Sequence, residues 1–254
     1  MVRPLAVPQN AQVDTERDTA PAHAGEPHRN GLSGRLNWLR AGVLGANDGI
    51  ISTAGLVVGV AGATADRTAI LAAGVAGLVA GALSMAGGEY VSVSTQRDTE
   101  RAALRLEERE LAEMPEAEEQ ELADIYREKG LSAELAAQVA RELTQKDALH
   151  AHAEAELGID PDNLTSPWQA AVASFLSFAI GALIPLVSIA LPPVDARVWT
   201  CIIAVVVGLV LTGFISARLG GAPPRRAILR NVVVGTLAMV VTYYVGVLFG
   251  VTVG

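Results

Sequence analysis

Residues 68–113 read TAILAAGVAGLVAGALSMAGGEYVSVSTQRDTERAALRLEERELAE. The stretch opens as an apolar run of Ala, Val, Leu and Gly and passes through Ser84-Met85-Ala86-Gly87-Gly88-Glu89-Tyr90. It turns charged at Gln96-Arg97-Asp98 and meets no proline before Pro115. As one helix rising ~1.5 Å per residue it would be roughly 70 Å long, more than twice a bilayer core of ~30 Å. One half is therefore predicted to lie in lipid and the other to stand in water.

The rest of the chain agrees with a membrane setting. It is 51% hydrophobic and only 4% aromatic, with a mean hydropathy of +0.36, and its apolar residues are clumped. Five runs are long enough to span: residues 36–63, 68–93, 168–191, 198–217 and 228–253. They are continuous rather than alternating, which excludes a barrel. The sequence thus predicts an all-α integral membrane protein, five transmembrane helices with a cytosolic three-helix acidic insert between the second and third. Its divisions are a disordered tail (1–33), helices one and two (34–95), the acidic insert (96–165) and helices three to five (166–254). The lone Cys201 excludes a disulfide framework and a Cys-rich metal site, and reads as a small packing residue.

The net charge of −8 is sharply partitioned: residues 96–165 hold 19 acidic and 8 basic side chains. Such a segment argues against a nucleic-acid partner and for a cationic one. The tail is rich in Pro, Ala and charge, without the apolar core of a signal peptide, and its His23 and His28 read as solvated. Arg29, Arg35 and Arg40 precede the first run, and Arg218, Arg225, Arg226 and Arg230 fill the link between the fourth and fifth. The two opposite turns hold one Arg each, Arg67 and Arg197. The positive-inside rule then places the N-terminus and the insert in the cytosol and the C-terminus outside. Trp38, Trp168 and Trp199 sit at run edges, as an interfacial belt requires.

Glycines four apart, at Gly45 and Gly49, Gly55 and Gly59, and Gly77 and Gly81, predict close helix contacts in lipid. Pro185 is expected to kink the third span. In the insert, the first helix continues span two to Met114, and Pro115 opens a second that ends at Gly130. Ser132 caps a third that runs to Gly158. Ser166 as cap and Pro167 as first helical residue start span three.

Asp48 lies about 12 residues into span one, roughly 16–18 Å deep, where a charge is costly. Either it is a protonated or hydrogen-bonded packing residue, with Asn47 as partner, or it serves a cation or proton. Met85 and Glu89 lie one turn apart on span two and offer a thioether and a carboxylate on one face, a mixed ligand set for a borderline transition metal. Plain packing is the alternative for Met85. In the insert Glu107 and Glu110, Glu118 and Glu121, and His152 and Glu156 each share a helix face. Three such faces around one centre would make a carboxylate-rich cage with one imidazole, suited to Fe²⁺, Mn²⁺ or Zn²⁺. The competing reading is a set of solvated helix faces, which fits Glu108, Glu113, Glu116 and Glu119.

Asn47-Asp48-Gly49, the run from Leu83 through Ser92 and the acidic insert closing on Glu156-Leu157-Gly158 together resemble the vacuolar iron transporter family, over all of the chain but the tail. The resemblance implies a homodimer of five-helix subunits that moves Fe²⁺ out of the cytosol in exchange for protons. By position, it makes Asp48 and Met85 translocation residues and Glu89 a pore-entrance carboxylate. Glu107, Glu110, Glu118, Glu121 and Glu156 become metal ligands of the insert. His152 departs from the methionine found there in better-known relatives, which adds pH sensitivity and loosens the preference among Fe²⁺, Mn²⁺ and Zn²⁺.

The function expected is proton-coupled export of a divalent transition metal through a homodimeric pore, with Fe²⁺ first, Mn²⁺, Zn²⁺ or Co²⁺ as other cargo, and no permanent cofactor. The composition points to a bacterial plasma membrane. Two alternatives are a membrane-anchored metal-binding protein and a di-iron oxidase; the latter lacks the Glu-x-x-His tetrapeptides such sites use. A dimerising coiled coil would need longer apolar heptads than Ala102, Ala103, Leu104, Leu106 and Leu111 supply.

Overall fold

The computed structural model describes residues 29–253, with side chains described for residues 42–250. Residues 1–28, which hold most of the expected tail with His23 and His28, lie outside the described residues, as do the side chains of Arg35, Trp38 and Arg40. The helices are α1 (Arg29–Ala63), α2 (Arg67–Glu113), α3 (Pro115–Glu128), α4 (Ala133–His152), α5 (Pro167–Ala190), α6 (Arg197–Leu219) and α7 (Pro224–Val253). A π-helical turn, Ala153–Leu157, follows α4. Residues 29–33, assigned to the tail from sequence, are helical in α1. There is no strand among the described residues, and α1, α2, α5, α6 and α7 are each long and apolar enough to cross a membrane.

Helix α1 is the hub and packs against all four of the other long helices. Hydrocarbon supplies no hydrophobic drive between helices, so association rests on close van der Waals contact. The sequence provides for it with glycine. A Cβ on Gly49 would strike the Phe178 carbonyl of α5, and one on Gly181 would strike the Ala46 carbonyl of α1. Farther along, a Cβ on Gly246 of α7 would run into the Gly59 carbonyl. Around these contacts Ile50, Ala54, Val57, Val58, Ile189, Val205, Leu209 and Met239 form the buried core. The outward faces stay apolar, with Ile203, Leu211, Leu229 and Leu237 exposed, as lipid contact requires. Trp168 and Trp199 are exposed at helix starts, and Trp168 meets Tyr90 at 5.0 Å between ring centroids.

The two turns expected outside are tied by their arginines. Arg197 Nη1 donates to the Ala65 carbonyl at 3.1 Å, and Arg67 donates to the Ala190 carbonyl. Asp66 caps α2 by accepting from the Thr68 amide at 2.8 Å. At the other end α7 begins at Pro224, four residues before the apolar run, so Arg225, Arg226 and Arg230 lie on its first turns rather than in a link. Helix α5 continues through Pro185. Ser166 holds its cap position without a side-chain hydrogen bond, while Pro167 takes the first helical place.

Beyond the apolar half, α2 carries the acidic segment. Its outer part, α3 and α4 pack around Leu122, Ala123, Ala140 and Ala151, and among the described residues α3 and α4 touch no other long helix. Gly130 takes φ +103° at the α3–α4 turn, and Ser132 caps α4 through the Leu135 amide. The third insert helix is not the single rod expected. Asp147 leaves helical geometry (φ −165°, ψ 94°), and its Oδ1 accepts from the His150 amide at 3.0 Å. An aspartate that caps a new helix start interrupts the old one. The π-helical turn follows, and Gly158 at φ 65° closes it.

Gly181→Ala is expected to destabilise the protein by about 1–3 kcal/mol, because its methyl group would meet backbone that cannot move aside. Thermal unfolding in detergent, compared with the wild type, checks this.

Candidate functional site

In the apolar half, a cavity of ≈ 210 Å³ opens between α1 and α2, bordered on the α1 side by Asp48, Ser52, Thr53 and Leu56. From α2 come Gly77, Gly81, Ser84 and Met85, with Phe178 of α5 at the wall. The room exists because two of the α2 positions lack side chains; the Phe178 ring seats over Gly81, and Met85 packs beside it. Asp48 and Met85 therefore border one space, half-buried, and among the described residues no side chain pairs with the Asp48 carboxylate. Glu89, one turn beyond Met85, is half-buried and does not border the cavity.

The hydroxyls beside Asp48 behave differently. Ser52 Oγ donates to the Asp48 carbonyl at 2.6 Å, the usual resolution for a hydroxyl in a spanning helix. Thr53 is 1% exposed and its Oγ1 has no hydrogen-bond partner. Such a group costs about 1–3 kcal/mol. Sequence reading passed over it, since a threonine in an apolar run carries no signal of its own.

The second constellation lies in the acidic segment. His152 Nδ1 stands 2.9 Å from Glu107 Oε1, 3.7 Å from Glu118 Oε2 and 3.9 Å from Glu156 Oε2. The face-sharing pairs do not contribute equally. Glu107 and Glu118 are buried with His152, Glu156 stands at the open edge, Glu110 is half-buried and Glu121 exposed. Glu107 Oε1 and both ring nitrogens of His152 make no properly aligned hydrogen bond. Three converging donors from α2, α3 and α4, their ligand atoms within 4.8 Å of one another, fit a divalent cation.

The electrostatics fit as well. Glu107 is pushed up to about 7, first by burial and then by Glu156, Glu118, Glu110 and Glu121. Burial, with Glu121, Glu110 and Glu156 behind it, raises Glu118; burial and then Glu121 and Glu110 raise Glu156. Burial lowers His152 against the opposing pull of Glu121, which keeps the ring neutral and ligand-ready. No Arg or Lys pairs with these carboxylates among the described residues; Arg127 goes to Asp124 and Arg141 to Glu119. Only protons or a metal ion can relieve the crowding.

Residues 39–247 match the VIT family. The chain belongs to it. A vacuolar iron transporter of Acanthamoeba castellanii is 43% identical over 232 residues, 90% of this chain and 84% of its own length. Vacuolar iron transporter homolog 1 of Oryza sativa subsp. japonica is 42% identical over 217 residues, 85% of this chain and 75% of its own. The protein of the same name in Arabidopsis thaliana is 37% identical over 219 residues, 86% of each chain. VIT relatives are named as transporters, and this member is accordingly a transporter and not an enzyme.

One further group in this VIT chain escaped sequence reading. His150, Asp160 and Asp162 offer ligand atoms within 4.8 Å of one another, His150 half-buried and both aspartates exposed. The left-handed turn at Gly158 brings them together, and no regular spacing announces that.

The acidic segment should lose stability as pH rises. Between about pH 4.5 and about pH 7 the folded carboxylates hold protons that the unfolded chain has released. His152, lowered by burial, offsets part of this below its ordinary value of 6.5, and the net loss falls within the window that Glu107 closes at about pH 7. Amide hydrogen exchange across α3 and α4 of the metal-free full chain, corrected for intrinsic rates, should show protection falling there, and Glu107→Gln should flatten the fall.

Proposed function

We propose that this protein exports a divalent transition metal from the cytosol, Fe²⁺ foremost and Mn²⁺ as a second cargo, in exchange for protons through a pore built by two copies. The observation that carries the reading is the cavity bordered by both Asp48 and Met85 within the apolar half of the helix bundle. The names of the VIT relatives support iron as cargo. A carboxylate and a thioether together suit a borderline divalent ion better than a hard or a soft one.

The acidic segment, on the cytosolic side in this reading, gathers the ion through Glu107, Glu118, His152 and Glu156, with Glu110 and Glu121 at the rim. Zn²⁺ and Co²⁺ suit the same donors. Glu89 stands at the entrance, and Asp48 and Met85 hold the ion at mid-membrane. Protonation of the carboxylates from an acidic far side weakens the ligands and releases the ion outward. Ser52 and Leu44 are exposed on the Asp48 side of α1, which leaves a face for a second copy that would double the ligand set. Exposed Arg218, Arg225, Arg226 and Arg230 support a cytosolic N-terminus and an outside C-terminus; the membrane in this reading is a bacterial plasma membrane, on composition alone.

A second reading, an anchored metal-binding protein, draws on the separation of the acidic cluster from the cavity. Proteoliposomes with an imposed pH gradient decide between them. The wild type should carry Fe²⁺ and Mn²⁺, and Asp48→Ala or Met85→Ala should lose at least about tenfold of the flux, the equivalent of 1.4 kcal/mol. Wild-type vesicles that bind metal yet carry none would favour the anchored protein. Glu107→Ala with Glu110→Ala should weaken Mn²⁺ binding to the full chain about tenfold in calorimetry while maximal flux persists.

A further inference from the structure

Resting on the transport reading and deepening it, we propose that Thr53 is an oxygen ligand to the ion as it passes Asp48 and Met85. Several hydroxyls of the long helices donate to a carbonyl one turn back: Ser188 to Pro185 and Thr212 to Leu209, three residues back, and Ser52 to Asp48, Thr95 to Val91, Thr200 to Ala196 and Thr242 to Ala238, each four back. The Gly49 carbonyl stands in the same relation to Thr53, yet Thr53 Oγ1 makes no hydrogen bond at all. A valine would fill the same volume with nothing left unpaired.

Among the described residues of the apolar spans, two other side-chain oxygens are buried without a partner, Asn47 Oδ1 and Ser174 Oγ. Neither residue borders the cavity, whereas Thr53 does, beside Asp48 and across from Met85. Rotation about its χ1 exchanges Oγ1 with the methyl group, so the hydroxyl can turn toward an arriving ion without backbone movement. The neutral oxygen replaces one water of the ion's shell. Joined to the carboxylate it shifts the donor set toward harder divalent ions, Mn²⁺ and Fe²⁺, relative to Zn²⁺.

The test compares Thr53→Val, Thr53→Ser and Asp48→Asn with the wild type, in metal-free thermal unfolding and in Mn²⁺ and Zn²⁺ flux into proteoliposomes. Thr53→Val should melt at or above the wild-type temperature, because an orphan hydroxyl is gone. Its KM for Mn²⁺ should rise at least about fivefold, with a smaller change for Zn²⁺. Thr53→Ser should keep the wild-type KM. The assignment is overturned if Thr53→Val keeps its Mn²⁺ KM within about twofold, if it melts well below the wild type, or if Thr53→Ser is equally impaired. Asp48→Asn separates the two levels: if it abolishes flux while Thr53→Val changes nothing, only the Thr53 role fails. Full flux in Asp48→Asn would sink the route past Asp48 and Met85 on which the Thr53 assignment rests, and wild-type vesicles that carry no metal would sink the transport reading itself.

Discussion

Two faces of α1 are closed by close approach to neighbouring backbone, and the position of Asp48, Ser52 and Thr53 follows from that. Gly45 and Gly49 meet α5, and Gly59 and Gly62 meet α7, at separations that leave no room for side chains. Asp48, Ser52 and Thr53 can only turn toward the remaining sector, where α2 answers with Gly77 and Gly81 instead of bulk. The cavity is thus what remains once small residues have drawn α1 tightly to its neighbours. Its polar lining owes its place to that packing, with Ser52 held besides by the Asp48 carbonyl.

The acidic cluster arises differently. Its bundle has a small apolar centre around Leu122, Ala123 and Ala140, and the buried positions next to it hold Glu107, Glu118 and His152. Burying two carboxylates and a neutral imidazole with no cation among them is unfavourable for the empty bundle. The same burial strips water from the donors in advance, so an arriving ion meets ligands already gathered. In the membrane cavity the corresponding burden is a half-buried carboxylate and an orphan hydroxyl. Both sites hold unpaired polar atoms, one set by a helical bundle in water and the other by glycine packing in lipid.

Much of the fold was legible because hydrocarbon imposes a length and a composition on each crossing. The apolar runs announced α1, α2, α5, α6 and α7, and the absence of proline between Thr68 and Pro115 announced the unbroken α2. Caps were readable where Ser or Pro sits alone before a periodic run, as at Ser132 and Pro115. The break at Asp147 was not, because a capping aspartate and a solvated one look alike in a charged helix. Helical spacing grouped Glu107 with Glu110 and Glu118 with Glu121, yet could not tell which of each pair turns inward; the depth of the three-helix contact decides that. Thr53 and the trio of His150, Asp160 and Asp162 depend on tertiary placement and leave no trace in local pattern.

The unbroken course of α2 sets a distance with its own meaning. Met85 and Glu107 lie on one rod, roughly 33 Å apart along its axis at ~1.5 Å per residue. That is several times the ~8 Å over which charges feel one another at physiological salt. On the function proposed above, an ion at one site would therefore neither repel nor assist an ion at the other, and no hand-to-hand transfer would span the gap. The acidic bundle would then act as a reservoir that sets how often free ions arrive at the mouth, leaving the choice of which ion crosses to the few atoms between α1 and α2.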